Sequence, residues 1–201
     1  MTGSPFPSGS VMEHDRWMGK IYESIDGRLR EFISAQRMFF VATAPSGDGG
    51  HVNLSPKGMT GTFAVLGPHR VAYLDFHGSG AETIAHLRQN GRITLMFCAF
   101  EGPPKIVRLH GTGSAVVVTD PRCADLLAAF PDPPDPHGLR AVITVDVHRV
   151  SDSCGYAVPL MAYQGDRDLL VRWGERRDAA ALSEYRATRN GVSIDGLPVF
   201  S

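Results

Sequence analysis

The chain has 201 residues, 43% of them hydrophobic and 20% charged, which is the composition of a globular domain and far from that of a disordered one. Its formal net charge of -1 excludes the clustered basic excess of a nucleic-acid binder, and no apolar run nears the roughly 20 residues of a membrane-spanning helix. Three well-separated cysteines (Cys98, Cys123, Cys154) form no Cys-x-x-Cys pair, and the histidines form no His-x-x-x-His. Neither a disulfide framework nor a metal site is therefore expected, and the compartment reads as reducing, hence cytoplasmic.

The start, rich in Gly, Ser and Pro, predicts a flexible leader over residues 1–14, with residues 15–201 as a single domain. Asp15 to Gln36 reads as mostly helical, with Leu29, Phe32 and Ile33 on one apolar stripe. The period then changes to that of strands. Met38 to Ala44 is followed by the turn cluster PSGDGG, and a second strand from His51 to Ser55 completes a hairpin. Phe63 to Leu66 and Arg70 to Phe76 make another pair around Gly67-Pro68-His69. Ala81 to Asn90 predicts a short helix with Gly91 at its C-cap.

Two further strands follow, Arg92 to Phe100 and Ile106 to Val118, the second bent or bulged at Gly111 and Gly113. Asp120-Pro121 opens another helix, which carries Leu126, Leu127 and Phe130. Pro131 to Gly138 is a loop, Ala141 to Val150 alternates as a strand, and a charged helix is expected near Asp178 to Thr188. Strands arriving as neighbouring antiparallel pairs, with helices inserted between them, predict a mainly β fold: an antiparallel split β-barrel with short helices at its rim.

Three segments invite chemistry. His51 to Gly58 (HVNLSPKG) ends a strand with a polar run and one cation, Lys57. Gly78-Ser79-Gly80 precedes a helix, where bare N–H groups and the helix dipole favour a phosphate. Ser79 with Glu82 also spells a capping box, which needs no ligand, and both readings stand. Ser151 to Pro159 (SDSCGYAVP) follows a strand and is rich in groups that hydrogen-bond or stack; Cys154 has no evident base partner in sequence.

The order NLSPKG, VAYLDF, GSGAETIAHLRQNGRITLMF and KIVRLHGTG resembles the pyridoxamine 5'-phosphate oxidase-like family over roughly Phe32 to Val150. The phrase from Leu87 to Leu95 is the most specific local match. That resemblance implies a split barrel that holds flavin mononucleotide (FMN) between the two subunits of a homodimer. It places Val52, Asn53, Leu54, Ser55 and Lys57 along the flavin ring edge and phosphate, and Leu74 and Asp75 near the ribityl chain and phosphate. Ser79, Gly80 and Thr83 fall in the loop and first helical turn beside the phosphate. The oxidase proper has an Arg-Lys pair early in that helix where this chain has Glu82 and Thr83, and its C-terminal basic segment has no counterpart in SCGYAVP.

The expected activity is therefore FMN-dependent oxidoreduction of a small molecule other than pyridoxamine 5'-phosphate. The flavin carries the redox step, so no catalytic side chain is named. Arg108 and Tyr156 are the candidates for substrate contact. A deazaflavin-dependent reductase is the alternative, with Lys57, Lys105 and Arg108 as its extra cations. A flavin- or haem-binding module without turnover is a third reading.

Overall fold

The computed structural model describes residues 19–130 and 132–200, so the expected leader over 1–14 lies outside the described residues. Eight strands form one curled antiparallel sheet: β1 (Ile21–Tyr22), β2 (Met38–Thr43), β3 (Asn53–Gly58), β4 (Phe63–Gly67), β5 (Arg70–Phe76), β6 (Arg92–Cys98), β7 (Ile106–Val117) and β8 (Leu139–Ser153). Their order is β3-β2-β6-β7-β8-β5-β4, with β1 added to β8. The helices are α1 (Gly27–Ala35), α2 (Glu82–Asn90), α3 (Arg122–Leu127), α4 (Leu169–Glu175) and α5 (Ala179–Arg189). The expected split barrel is what forms, with helices at its ends.

Period-2 burial explains why the strands pack as they do. In β2 the buried residues are Phe39, Val41 and Thr43, and the intervening side chains face outward. Phe39, Phe63, Tyr73 and Phe97 fill the inside as an aromatic cluster with ring centroids 5.0 to 5.4 Å apart, a spacing at which edge-to-face and offset pairs add to area burial. Cys98 is buried at the end of β6, as its apolar strand predicts, and Cys123 is the buried residue of α3, in one cluster with Leu74, Val116 and Val142.

Some boundaries differ from the sequence reading. The first helix starts at Gly27, because Asp26 caps it by accepting the Leu29 amide at 2.8 Å. Ahead of it Ile21 and Tyr22 pair with Ser151 and Val150, so they are strand. β3 runs on through Pro56 and Lys57 to Gly58. Its outer side carries no neighbouring strand in the sheet, and an edge strand tolerates a proline because that N–H needs no ladder partner. β8 spans 15 residues, since β7, β5 and β1 all pair with it. The bulge expected in β7 sits at His110/Gly111. Helix α4 lies where no regular element was expected.

Candidate functional site

The inward-facing side chains of β3 are Asn53, Ser55 and Lys57, whose β2 partners Thr43, Val41 and Phe39 face the same way. Opposite them stand the end of β5, the loop Gly78–Gly80 and the first turn of α2, leaving a polar cradle of about 280 Å³ between. Asn53 organises one wall. Its Nδ2 donates to Thr43 Oγ1 and to Thr83 Oγ1, each at 3.0 Å, and its Oδ1 accepts from Ser55 Oγ at 3.0 Å. Because Thr83 Oγ1 accepts from Asn53, its own O–H remains as a donor.

The floor is ionic. Asp75 is fully buried, with Arg140 Nε and Nη2 on its Oδ2 at 2.9 and 2.7 Å and Lys57 Nζ on its Oδ1 at 3.2 Å. Burial by itself would raise the Asp75 pKa, but the charges of Lys57 and Arg140 outweigh it and hold the carboxyl below its ordinary range. Arg140 also donates Nη1 to the Gly80 carbonyl at 2.9 Å.

The loop is held by its carbonyls. Gly78 O accepts from Asn190 Nδ2 at 3.0 Å and from Tyr185 Oη at 3.4 Å. A trans peptide points its N–H opposite its C=O, so the Ser79 and Ala81 amides turn away from those bonds. No capping box forms: the cap of α2 is Ala81, which has no side-chain cap bond. The Glu82 carboxylate instead folds over Gly80, where a Cβ would clash with Oε2. Of the two sequence readings of this loop, the capping box is not formed, and the helix start instead has the Glu82 carboxylate beside it.

Beside the cradle lies a larger, mainly apolar cavity of about 580 Å³, with Met38, Met59, Leu74, Phe76, Leu169 and Leu170 on its walls and Arg37 and Arg167 among its charged groups. Lys57, Phe76 and Gly78 belong to both spaces. His77 also borders the larger one, but both ring nitrogens are engaged. Nδ1 donates to Gly138 O at 2.8 Å, and Nε2 accepts from Arg186 Nη1 at 3.2 Å. Burial, helped by the nearby arginines, pushes its pKa below the usual imidazole value and keeps it neutral.

The structure brings together Asn53, Ser55, Lys57, Ser79, Gly80 and Thr83 around the cradle, with Leu74 in the adjoining cavity and Asp75 beneath as counter-ion. Val52 and Leu54 are 74% and 66% exposed, and the β3 register turns Leu54 to the opposite face with Ala42. Only their backbone lies along the β3 edge. Arg108 and Tyr156, expected at the substrate, lie apart from the two cavities. Arg108 points to the outer face of the sheet and bonds Ser153 Oγ at 3.0 Å, while Tyr156 is 82% exposed in the loop after β8, and neither lines these cavities. Sequence reasoning missed Arg140, whose one trace is a charge at the start of an apolar run, and it missed the grip of Asn190 on Gly78.

Comparison with known proteins matches residues 25–154 to the family described as pyridoxamine 5'-phosphate oxidase. A pyridoxamine 5'-phosphate oxidase family protein, ustO of Aspergillus flavus, is 42% identical over 191 residues, covering 88% of this chain and 76% of that protein. The crystal structure of HupZ from Group A Streptococcus superposes with a TM-score of 0.50 at 20% identity, over 69% of this chain and 99% of that one. An FMN-binding protein from Syntrophomonas wolfei gives a TM-score of 0.43 at 14% identity, over 66% of this chain and 85% of that one. The family match spans every strand from β2 to β8, including the whole cradle-bearing hairpin and loop, and this chain therefore belongs to the pyridoxamine 5'-phosphate oxidase family.

Proposed function

We propose that this protein is a homodimeric, FMN-dependent oxidoreductase acting on a small molecule. The observation that carries the reading is the junction at Lys57: a polar cradle with cations and hydroxyls opens past that lysine into an apolar cavity. FMN has the same layout, a phosphate at one end and a flat ring at the other, so the residues present fit it. Thr83, Ser55, Lys57 and Arg140 would hold the phosphate end, and Met38, Leu74 and Phe76 would border the ring.

When bound, the flavin supplies the electron transfer. The chain's own part is to bind, orient and exclude water. His77, the imidazole nearest to that role, has both nitrogens committed to Gly138 and Arg186, so it is assigned no proton transfer. Of the three cations that a deazaflavin would call on, Lys57 is at the cradle but the other two lie elsewhere. Lys105 sits over the rings of Tyr22 and Phe32 and 3.6 Å from Asp152, and Arg108 is on the outer face. That placement favours FMN.

The test is direct. Apo-protein titrated with FMN, a deazaflavin and haem should quench FMN fluorescence saturably and leave the other two free; binding of either in place of FMN overturns the cofactor assignment. Stopped-flow mixing of the FMN-loaded protein with NADH, NADPH and a panel of small amines and alcohols then tests turnover. A bound flavin that none of them reduces would make the protein a flavin carrier or sensor.

A further inference from the structure

The wall of the cradle is a chain of hydrogen bonds with a direction, and the direction decides which hydroxyl can donate to a ligand. Asn53 sits at its centre. Both Nδ2 hydrogens are spent, one on Thr43 Oγ1 and one on Thr83 Oγ1, while Oδ1 accepts the Ser55 hydroxyl. In this sense Thr83 keeps its own hydrogen for the cradle and Ser55 does not. With the Asn53 amide turned over, Oδ1 would accept from Thr43 and Thr83, Nδ2 would donate to Ser55, and the free hydrogen would pass to Ser55. Both senses use the same four side chains, so the wall by itself does not choose between them.

The choice is made behind the wall, at His86. This residue of α2 is fully buried, and its Nδ1 lies 3.0 Å from Oγ1 of the buried Thr43. Thr43 Oγ1 already accepts from Asn53, so its hydrogen needs an acceptor, and Nδ1 is the one within reach. An imidazole that accepts at Nδ1 is neutral and carries its proton on Nε2. Burial pushes the His86 pKa below the usual imidazole value and keeps the ring neutral, although the carboxylates of Asp195 and Glu82 oppose it. Asp195 is itself engaged by the His51 ring and amide, at 2.7 and 2.8 Å. Nε2 is buried without a hydrogen-bond partner among the described residues. A buried ring with one nitrogen orphaned adds little to stability that a leucine would not; what it adds is the acceptor at Nδ1.

We infer that His86 is a positioning residue: accepting at Nδ1, it fixes the direction of the Thr43–Asn53 relay so that the Thr83 hydroxyl, and not that of Ser55, donates to the bound anion. The ligand is the FMN phosphate of the proposed function, on which this role rests. Ser55 then borders the anion without donating to it.

FMN titrations of the two hydroxyl variants in two backgrounds read the direction. With His86 in place, Thr83→Val should weaken FMN about tenfold and Ser55→Ala less than about twofold. In His86→Leu the Thr43 hydroxyl loses its acceptor and turns to Asn53, the amide follows, and the two effects should exchange. His86→Asn, whose side-chain oxygen can stand where Nδ1 stood, should restore the native pattern. A merely structural histidine would lower every affinity by one factor and leave the ranking of Thr83→Val and Ser55→Ala as it was. That outcome overturns the inference, and so does a native protein in which Ser55→Ala is the more harmful. Should His86→Leu fail to fold, Thr43→Val, which removes the acceptor of one Nδ2 hydrogen, should give the same exchange.

If the native protein binds no FMN, the proposed function falls, and the same variants are read by the thermal upshift with inorganic phosphate. An upshift lost in Thr83→Val, kept in Ser55→Ala and exchanged between them in His86→Leu would keep the relay. No upshift in the native protein would overturn it.

Discussion

Lys57 stands where the two cavities meet, its ammonium 3.2 Å from Asp75 and its side chain three-quarters buried. A surface lysine at a strand end would contribute little, but this one joins a buried network with a carboxylate that is never protonated at neutral pH. A charge-assisted bond to a phosphate is worth about 1.5–3 kcal/mol net, or roughly one to two decades of affinity. Lys57→Ala should therefore weaken FMN binding at least about tenfold, read by fluorescence quenching. The circular dichroism of the apo-protein should stay the same, because Arg140 alone still neutralises Asp75. An unchanged dissociation constant would take Lys57 out of the site. At this scale the sequence is readable where a residue belongs to a local phrase: NLSPKG pointed to Lys57 and GSGAET to Thr83. Arg140 belongs to no phrase. It meets Asp75, 65 residues earlier, only because β5 and β8 are neighbours in the sheet.

Elements were legible in kind and less so at their ends. Periodicity marked all the strands from β2 to β8, while pairing partners set their lengths: β3 is drawn out to Gly58 by Met38, and β8 is extended by three neighbours. The start of α1 was placed too early because an apolar stripe does not register a cap, whereas the Asp26 carboxylate does. Gly111 is the element-scale feature most open to test. At the β7 bulge a Cβ on this residue would lie 2.5 Å from Asp146 O and 2.6 Å from Val145 Cγ1. The backbone oxygen cannot yield without breaking the β7–β8 register, so Gly111→Ala should lower unfolding stability by about 2 kcal/mol, the usual size of an overpacking penalty. Gly67 has nothing within 4 Å of its would-be Cβ and serves as the control. Urea denaturation of Gly111→Ala and Gly67→Ala separates them, and equal midpoints would mean that the bulge relaxes freely.

For the whole molecule the outer face of the sheet is as informative as the inner. Phe40 pairs with Pro56 and Met96, and Ala42 with Leu54, so an apolar strip crosses β3, β2 and β6 on the side away from the core. Leu54 is 66% exposed, and Phe40 and Met96 are partly buried. The second subunit of the proposed homodimer, seated on this strip, would take it out of water. If the proposed homodimer forms through this strip, Leu54→Asp should shift sedimentation from dimer to monomer; a native monomer with full FMN occupancy would refute the dimer. The sequence by itself determined the antiparallel β class, the elements and the β3 and GSG segments, because each is encoded in local periodicity, turn chemistry and short phrases. Only the tertiary structure decided which side chains share the cradle, that Asp75 is a counter-ion beneath it, that Arg140 supplies the second cation, and that Arg108 and Tyr156 stand apart. Those facts depend on strand order and on which face each side chain takes, and a one-residue change in register reverses the face without leaving any mark on composition.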